Sequence, residues 1–152
     1  MFDKMMVATD GSDNADAAVR YAAEMAKKMG TREALVVHVC PGCTADIDVH
    51  DVNREAAEQI LQNAKHLFSG SGAHVRTLVE IDYPPESIST AIDDIAEREK
   101  VDLLVLGSRG LSEFKGLLLG SVSNRVVQKV SSPVLVIKHG AAEKSGSSTG
   151  MD

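Results

Sequence analysis

Five short apolar runs, rich in β-branched residues or Leu, recur along the chain at Met5 to Thr9, Ala34 to Val39, Val75 to Ile81, Val101 to Leu106 and Val134 to Ile137. They predict strands. Between them the apolar positions recur with helical period. The first such segment follows Asp10-Gly11-Ser12, where Ser12 can cap a helix and Asp13 and Asp16 suit its positive end. Its stripe is Ala15, Ala18, Val19, Ala22, Met25, Ala26 and Met29, and Lys27, Lys28 and Gly30 close it. A second helix is expected from about Asp51 to Phe68, with Ala57, Ile60, Leu61, Ala64, Leu67 and Phe68 inward and Gly70 beyond its end. A third begins near Pro85 and presents Ile88, Ala91, Ile92, Ile95 and Ala96. A fourth, near Ser121 to Val130, presents Val122, Val126, Val127 and Val130 before Ser131-Ser132-Pro133 stops it.

Strand and helix therefore alternate from end to end. Right-handed crossovers then place helices on both faces of a parallel sheet, whose strands lose their polar alternation because both faces are buried. The fold class is α/β, a single doubly wound domain with five parallel strands. It is expected over residues 1–138; from His139 to Asp152 the sequence is small, polar and without period, which predicts a flexible tail.

A chain of 152 residues suits one domain, and a hydrophobic fraction of 43% provides a packed core. The core is aliphatic: there is no Trp and aromatics are 3% of the chain, so base-stacking platforms are hard to build. A net charge of −6 also argues against a nucleic-acid partner. No apolar stretch approaches the ~20 residues of a membrane span, and the opening Met1-Phe2-Asp3-Lys4 has no room for a signal peptide, so the expected location is the cytoplasm. Two cysteines do not make a disulfide framework.

In open α/β sheets ligands bind beyond the carboxyl ends of the strands. There the chain reads Gly107-Ser108-Arg109-Gly110, then nine residues, then Gly120-Ser121-Val122-Ser123 at a helix start. The glycines permit a tight turn and close backbone approach, and the helix start exposes N–H groups and hydroxyls to an anion. These features point to phosphate oxygens. Neither the P-loop spacing nor Gly-x-Gly-x-x-Gly after the first strand is present. Phosphate charge would fall to the helix dipole, a bound Mg²⁺ and whichever of Arg109, Lys115 or Arg125 turns inward. With no triad, no paired carboxylates in a catalytic spacing and no evident base, the site suits binding rather than catalysis.

Two further patterns stay open on the residues alone. Cys40-Pro41-Gly42-Cys43 has the spacing of a redox pair or half a zinc site, with His38 and His50 nearby, or holds plain loop cysteines; the acidic stretch Asp46 to Asp51 would blunt a thiol. Asp10, Asp82, Ser108 and Lys138 echo a phosphoacceptor receiver domain, although the second acidic residue such a domain needs beside Asp10 is replaced by Gly11-Ser12.

The spacing from Gly107 and Gly110 to Gly120-Ser121, the opening Val7-Ala8-Thr9-Asp10-Gly11-Ser12 and the closing Ser132-Pro133-Val134-Leu135-Val136 resemble the ATP-binding universal stress proteins. The resemblance spans about residues 1 to 138 and implies sheet order 3-2-1-4-5. It implies a stress-response module that binds ATP with Mg²⁺, hydrolysing it slowly at most, with AMP or another adenine nucleotide as the alternative ligand. By position, Asp10, beside Thr9, would approach the ribose and adenine side and the Val39 backbone would meet the adenine edge. Gly107, Arg109 and Gly110 would flank ribose and α-phosphate, Gly120, Ser121, Val122 and Ser123 would hold outer phosphates, and Ala8 and Leu106 would form apolar walls. Related members also imply a homodimer, here through the uncharged last strand, Val134 to Ile137, with unidentified protein partners beyond it.

Overall fold

The computed structural model describes residues 2–41, 47–83, 88–108 and 119–138, and in them strands and helices alternate. Strand β1 (Lys4–Ala8) leads to helix α1 (Asp13–Met29), and β2 (Glu33–Pro41) to α2 (Ile47–Leu67). Then come β3 (His74–Tyr83), α3 (Ile88–Arg98), β4 (Leu103–Gly107), α4 (Ser121–Lys129) and β5 (Val134–Ile137). All pairings are parallel and the strand order is β3-β2-β1-β4-β5. This is the doubly wound sheet that the alternating pattern and the resemblance imply.

Successive side chains of each strand enter different layers, as a strand's period of two requires. Met5, Val7, Ala34, Val36, Leu103 and Val105 pack with Ala18, Val19 and Ala22 of α1 and Leu61, Ala64 and Phe68 near α2. Met6, Leu35, Val37, Leu104 and Leu106 pack with Ala91, Ile92 and Ile95 of α3 and Val126 of α4. Residues 5–7 of β1, 34–37 of β2 and 103–106 of β4 are thus apolar at successive positions because each face of the sheet has its own helices. Ser12 caps α1, its Oγ accepting from the Ala15 N–H at 3.2 Å, and Gly30 ends the helix in the left-handed region at φ 67°.

Several boundaries differ from the pattern's. Helix α2 starts at Ile47 rather than Asp51, so Asp48 and Asp51 lie in its first turns, where acidic positions suit a positive helix end. Strands β2 and β3 run on to Pro41 and Tyr83, because backbone pairing continues past the apolar runs, with an irregularity in register between Val39 and Pro41. Strand β4 is shifted toward Gly107, and Val101 is buried ahead of it. In α1, Asn14 and Ala23 are buried while Met29, at the last turn, is exposed. Val127 is exposed as well, since α4 rests on the sheet through Val126 and the flanking Val122 and Val130. Pro85 and residues 139–152, read as a tail, lie outside the described residues. Among the described residues, no helix is long and apolar enough to cross a membrane.

Candidate nucleotide site at the carboxyl ends of β1 and β4

From β1 the chain moves to one side for β2 and β3 and returns to the other for β4 and β5, so the winding reverses between β1 and β4. A cavity of about 380 Å³ opens at the carboxyl ends of these two strands, a size suited to a small organic ligand. Ala8, Thr9 and Asp10 line it from β1, Val39 from β2, Leu106 and Gly107 from β4, and Gly120, Ser121, Val122 and Ser123 from the start of α4. All of these are positions at which the sequence predicts ligand contact. Arg109, Gly110 and Lys115 lie outside the described residues, and Arg125 is exposed on α4.

The wall from β1 is a tight turn. The Asp10 carboxylate accepts from the Ser12 N–H at 2.9 Å, and Thr9 Oγ1 accepts from the Gly11 N–H at 3.2 Å. Gly11 adopts φ +80°, and a Cβ there would come within 2.9 Å of Ile60. Both the left-handed backbone and the contact with α2 call for glycine.

The opposite wall is where β4 meets α4. Gly107 lies against α1, and a Cβ on it would sit 3.2 Å from both Nδ2 and the carbonyl oxygen of Asn14. Ser123 Oγ donates to the Gly107 carbonyl at 2.7 Å, and the Gly120 N–H donates to the Ser108 carbonyl at 2.6 Å. The Ser123 hydroxyl proton is therefore committed to the strand, so an anion at this helix end would meet the Ser123 backbone N–H instead. The N-cap of α4 is Gly120, which has no side chain to cap the helix, and the first intrahelical bond runs from Asn124 N–H to Gly120 O at 2.9 Å. Helix geometry leaves the N–H groups of Ser121, Val122 and Ser123 without intrahelical acceptors.

The two helix ends differ in charge. Asp13 and Asp16 occupy the first turn of α1, whereas the first turn of α4 carries no acid. The Asp16 carboxyl titrates above the usual range because of burial, opposed by Arg20 and reinforced by Asp13 and Asp10. An anionic ligand is repelled on the β1 side and drawn to α4.

The structure adds residues that the sequence reading assigned elsewhere. Ile88 and Ile92, one turn apart on α3 and read as core, line the cavity, as do Ala15, Val37 and Val126. His38, considered only as a metal ligand, also lines it; it is buried, and its Nδ1 lies 2.8 Å from the Thr9 carbonyl oxygen. Cys40 is buried at the end of β2, while Cys43 and the His50 side chain lie outside the described residues. Among the described residues, no three His, Cys, Asp or Glu side chains gather where they could hold a metal.

The sequence pattern of the universal stress protein family matches residues 1–138. The chain belongs to the universal stress protein family. It is 35% identical over 153 residues to the universal stress protein YxiE of Bacillus subtilis, covering 91% of this chain and all of that one. Among solved structures it is similar to a universal stress protein in complex with cAMP (27% identity, TM-score 0.69, 90% of this chain and 97% of the other). It is similar also to the Archaeoglobus fulgidus universal stress protein in complex with dAMP (26% identity, TM-score 0.66, 91% and 98%). With this membership the receiver-like alternative falls away.

Proposed function

We propose that this universal stress protein binds an adenine nucleotide, ATP with Mg²⁺, in the cavity between β1 and β4 and presents a nucleotide-dependent surface to protein partners in the cytoplasm. The observation that carries the reading is the meeting, in one cavity of about 380 Å³, of an apolar compartment and a glycine-capped helix end free of acidic residues. Ala8, Leu106, Ile88 and Ile92 supply apolar surface for a base, and the Val39 backbone lies beside it. Asp10 would stand on the ribose side and Gly107 along ribose and α-phosphate, the stretch that the family resemblance also assigns to Arg109 and Gly110. Outer phosphates would lie at Gly120, Ser121, Val122 and Ser123, where N–H groups and the dipole receive negative charge. Mg²⁺ would share that charge with the phosphates, as it commonly does. The adenine nucleotides held by two structurally similar proteins support the ligand class.

The protein acts as a binding module with slow hydrolysis at most. Among the described residues, the titratable side chains lining the cavity are Asp10, which accepts from the Ser12 N–H, and His38, whose Nδ1–H donates to the Thr9 carbonyl, and the sequence offers no triad or paired carboxylates to activate water. A second reading is an AMP sensor, favoured by the single phosphate of both cAMP and dAMP. Mass spectrometry of small molecules released from the purified protein, followed by calorimetry with ATP and AMP, decides between them. Gly120→Val fits the observed φ of −65° and ψ of 167°, so it adds bulk at the phosphate seat without backbone strain and should weaken binding at least tenfold. A wild type that carries no nucleotide and binds none added defeats the reading.

A further inference from the structure

Strand β2 outruns its neighbour: it continues to Pro41, whereas its pairing with β1 stops at Ala8 opposite Val37. The Glu33 N–H donates to the Asp3 carbonyl at 3.0 Å and the Thr9 N–H to the Val37 carbonyl at 2.9 Å. Odd-numbered residues of β2 therefore turn their backbone N–H and C=O toward β1. One more step of the ladder would have the Val39 N–H donate to the Thr9 carbonyl, but the pairing ends before it. The Thr9 oxygen lies instead 2.8 Å from Nδ1 of buried His38. A carbonyl oxygen only accepts, so Nδ1 carries the proton.

We propose that His38 is a positioning residue for base recognition. By occupying the Thr9 carbonyl, its ring keeps Val39 out of the ladder and leaves the Val39 N–H and C=O turned past the end of β1, into the cavity that both residues line. This rests on the nucleotide reading above. A peptide that offers N–H and C=O side by side matches adenine, whose N1 accepts and whose N6 amino group donates. Hypoxanthine presents the inverse, N1–H and O6, and sets donor against donor and acceptor against acceptor. His38 thus acts on specificity through a backbone it does not itself belong to, and its ring need not touch the base.

The test has two arms on the full-length protein. In the nucleotide-free state, ¹⁵N amide exchange of Val39 should be on the order of 100-fold faster than that of Val37, whose N–H lies within the ladder. His38→Leu should protect the Val39 amide, since it gains the Thr9 carbonyl as acceptor. His38→Asn, whose amide N–H branches from the same Cγ position as Nδ1–H, should keep the wild-type pattern. In calorimetry with ATP and ITP, wild type and His38→Asn should prefer ATP by roughly tenfold or more. His38→Leu should lose most of that preference with its affinity for ITP unchanged.

A wild-type Val39 amide as slow as that of Val37 overturns the proposal, whether or not the Leu variant folds. So does a folded His38→Leu that keeps the full preference. ATP binding without preference over ITP overturns base positioning and leaves the nucleotide reading standing. Binding of neither nucleotide by the wild type removes both.

Discussion

The hydroxyl of Ser123 donates to the carbonyl of Gly107 at 2.7 Å, which fastens the first turn of α4 to the last residue of β4. Both residues are buried, so the bond is shielded from water and its loss has no easy replacement. Ser123→Ala should cost about 1–2 kcal/mol of stability. Urea unfolding should show a lower midpoint at unchanged m-value, because the surface exposed on unfolding is the same. If the cavity depends on this fastening, nucleotide affinity should fall with it. An unchanged midpoint would mean that α4 is held by Val126 and its apolar neighbours alone.

Gly11 and Gly107 offer a contrast in why glycine is required. At Gly107 the obstacle is contact: a methyl would sit 3.2 Å from the Asn14 carbonyl and amide nitrogen, so α1 must move back from β4. Gly107→Ala should destabilise the fold by about 1–3 kcal/mol. At Gly11 the contact is with Ile60, a flexible side chain, and φ is +80°. Gly11→Ala should cost about 1–3 kcal/mol from the left-handed backbone alone. Truncating Ile60 in the same protein relieves the contact but not the φ, so Gly11→Ala measured in an Ile60→Ala background should remain destabilising. Thermal melting of the four variants separates the two causes.

At the far end of the sheet, Lys4, Glu33, Arg76 and Glu99 alternate in charge. Lys4 Nζ lies 3.4 Å from Glu33 and 2.9 Å from Glu99, Arg76 Nε lies 2.8 Å from Glu33, and the Arg76 guanidinium also bonds Glu99. At Glu33, burial favours the protonated form, but the Arg76 hydrogen bond and the Lys4 charge outweigh it and hold the carboxyl low. Glu99 is held low by the Lys4 hydrogen bond, against burial, with Arg76 adding to it. Both carboxyls titrate below their unfolded value of 4.5, so their contribution is fully present above about pH 4.5 and is lost as pH falls through their depressed folded values. Asp16 has the opposite sign: raised above 3.8, it favours the folded state while protonated and gives that up as pH rises. Glu99→Gln should cost about 1 kcal/mol near neutrality and progressively less below pH 4.5. Urea midpoints of both proteins between pH 3 and 7 check the convergence; a constant gap would place the effect outside this network.

The parts of the fold that follow from repeated local rules could be read along the chain. Strands buried on both faces have no polar alternation, and Ser12 and Gly30 punctuate α1 as caps do. The glycines at 107 and 120 were legible because tight turns and uncapped helix starts require specific residue types. What could not be read depends on register. Thr9 is as good a strand residue as Ala8, yet its carbonyl meets the ring of His38 instead of the next N–H of β2. Ile88 and Ile92 have the pattern of core residues, and nothing in a helical period tells which turn of α3 overhangs the end of the sheet and faces a cavity. The same limit applies to Met29 and Val127, apolar residues on the expected stripes that are nonetheless exposed, Met29 at the last turn of α1 and Val127 beside the buried Val126 through which α4 rests on the sheet.

The edge of the sheet at β5 bears on the homodimer that family resemblance implies. Strand β5 pairs with β4 and is the last strand in the sheet's order. The Leu104 N–H donates to the Pro133 carbonyl and the Ser108 N–H to the Ile137 carbonyl, each at 2.9 Å. Odd-numbered residues of β5 therefore face β4, and Val134 and Val136 turn their N–H and C=O outward. Proline at 136 removes an outward N–H and spares the ladder to β4, as proline on an edge strand does. If two copies pair through this edge, Val136→Pro should weaken the dimer by tenfold or more while the monomer keeps its fold. Leu135→Pro, which breaks the ladder to β4 instead, should lower the melting temperature. Light scattering over a concentration series, with circular dichroism on the same samples, distinguishes these outcomes. A Val136→Pro protein that stays dimeric, with its melting temperature unchanged, would mean that the copies meet through side chains or another face and not through the backbone of β5.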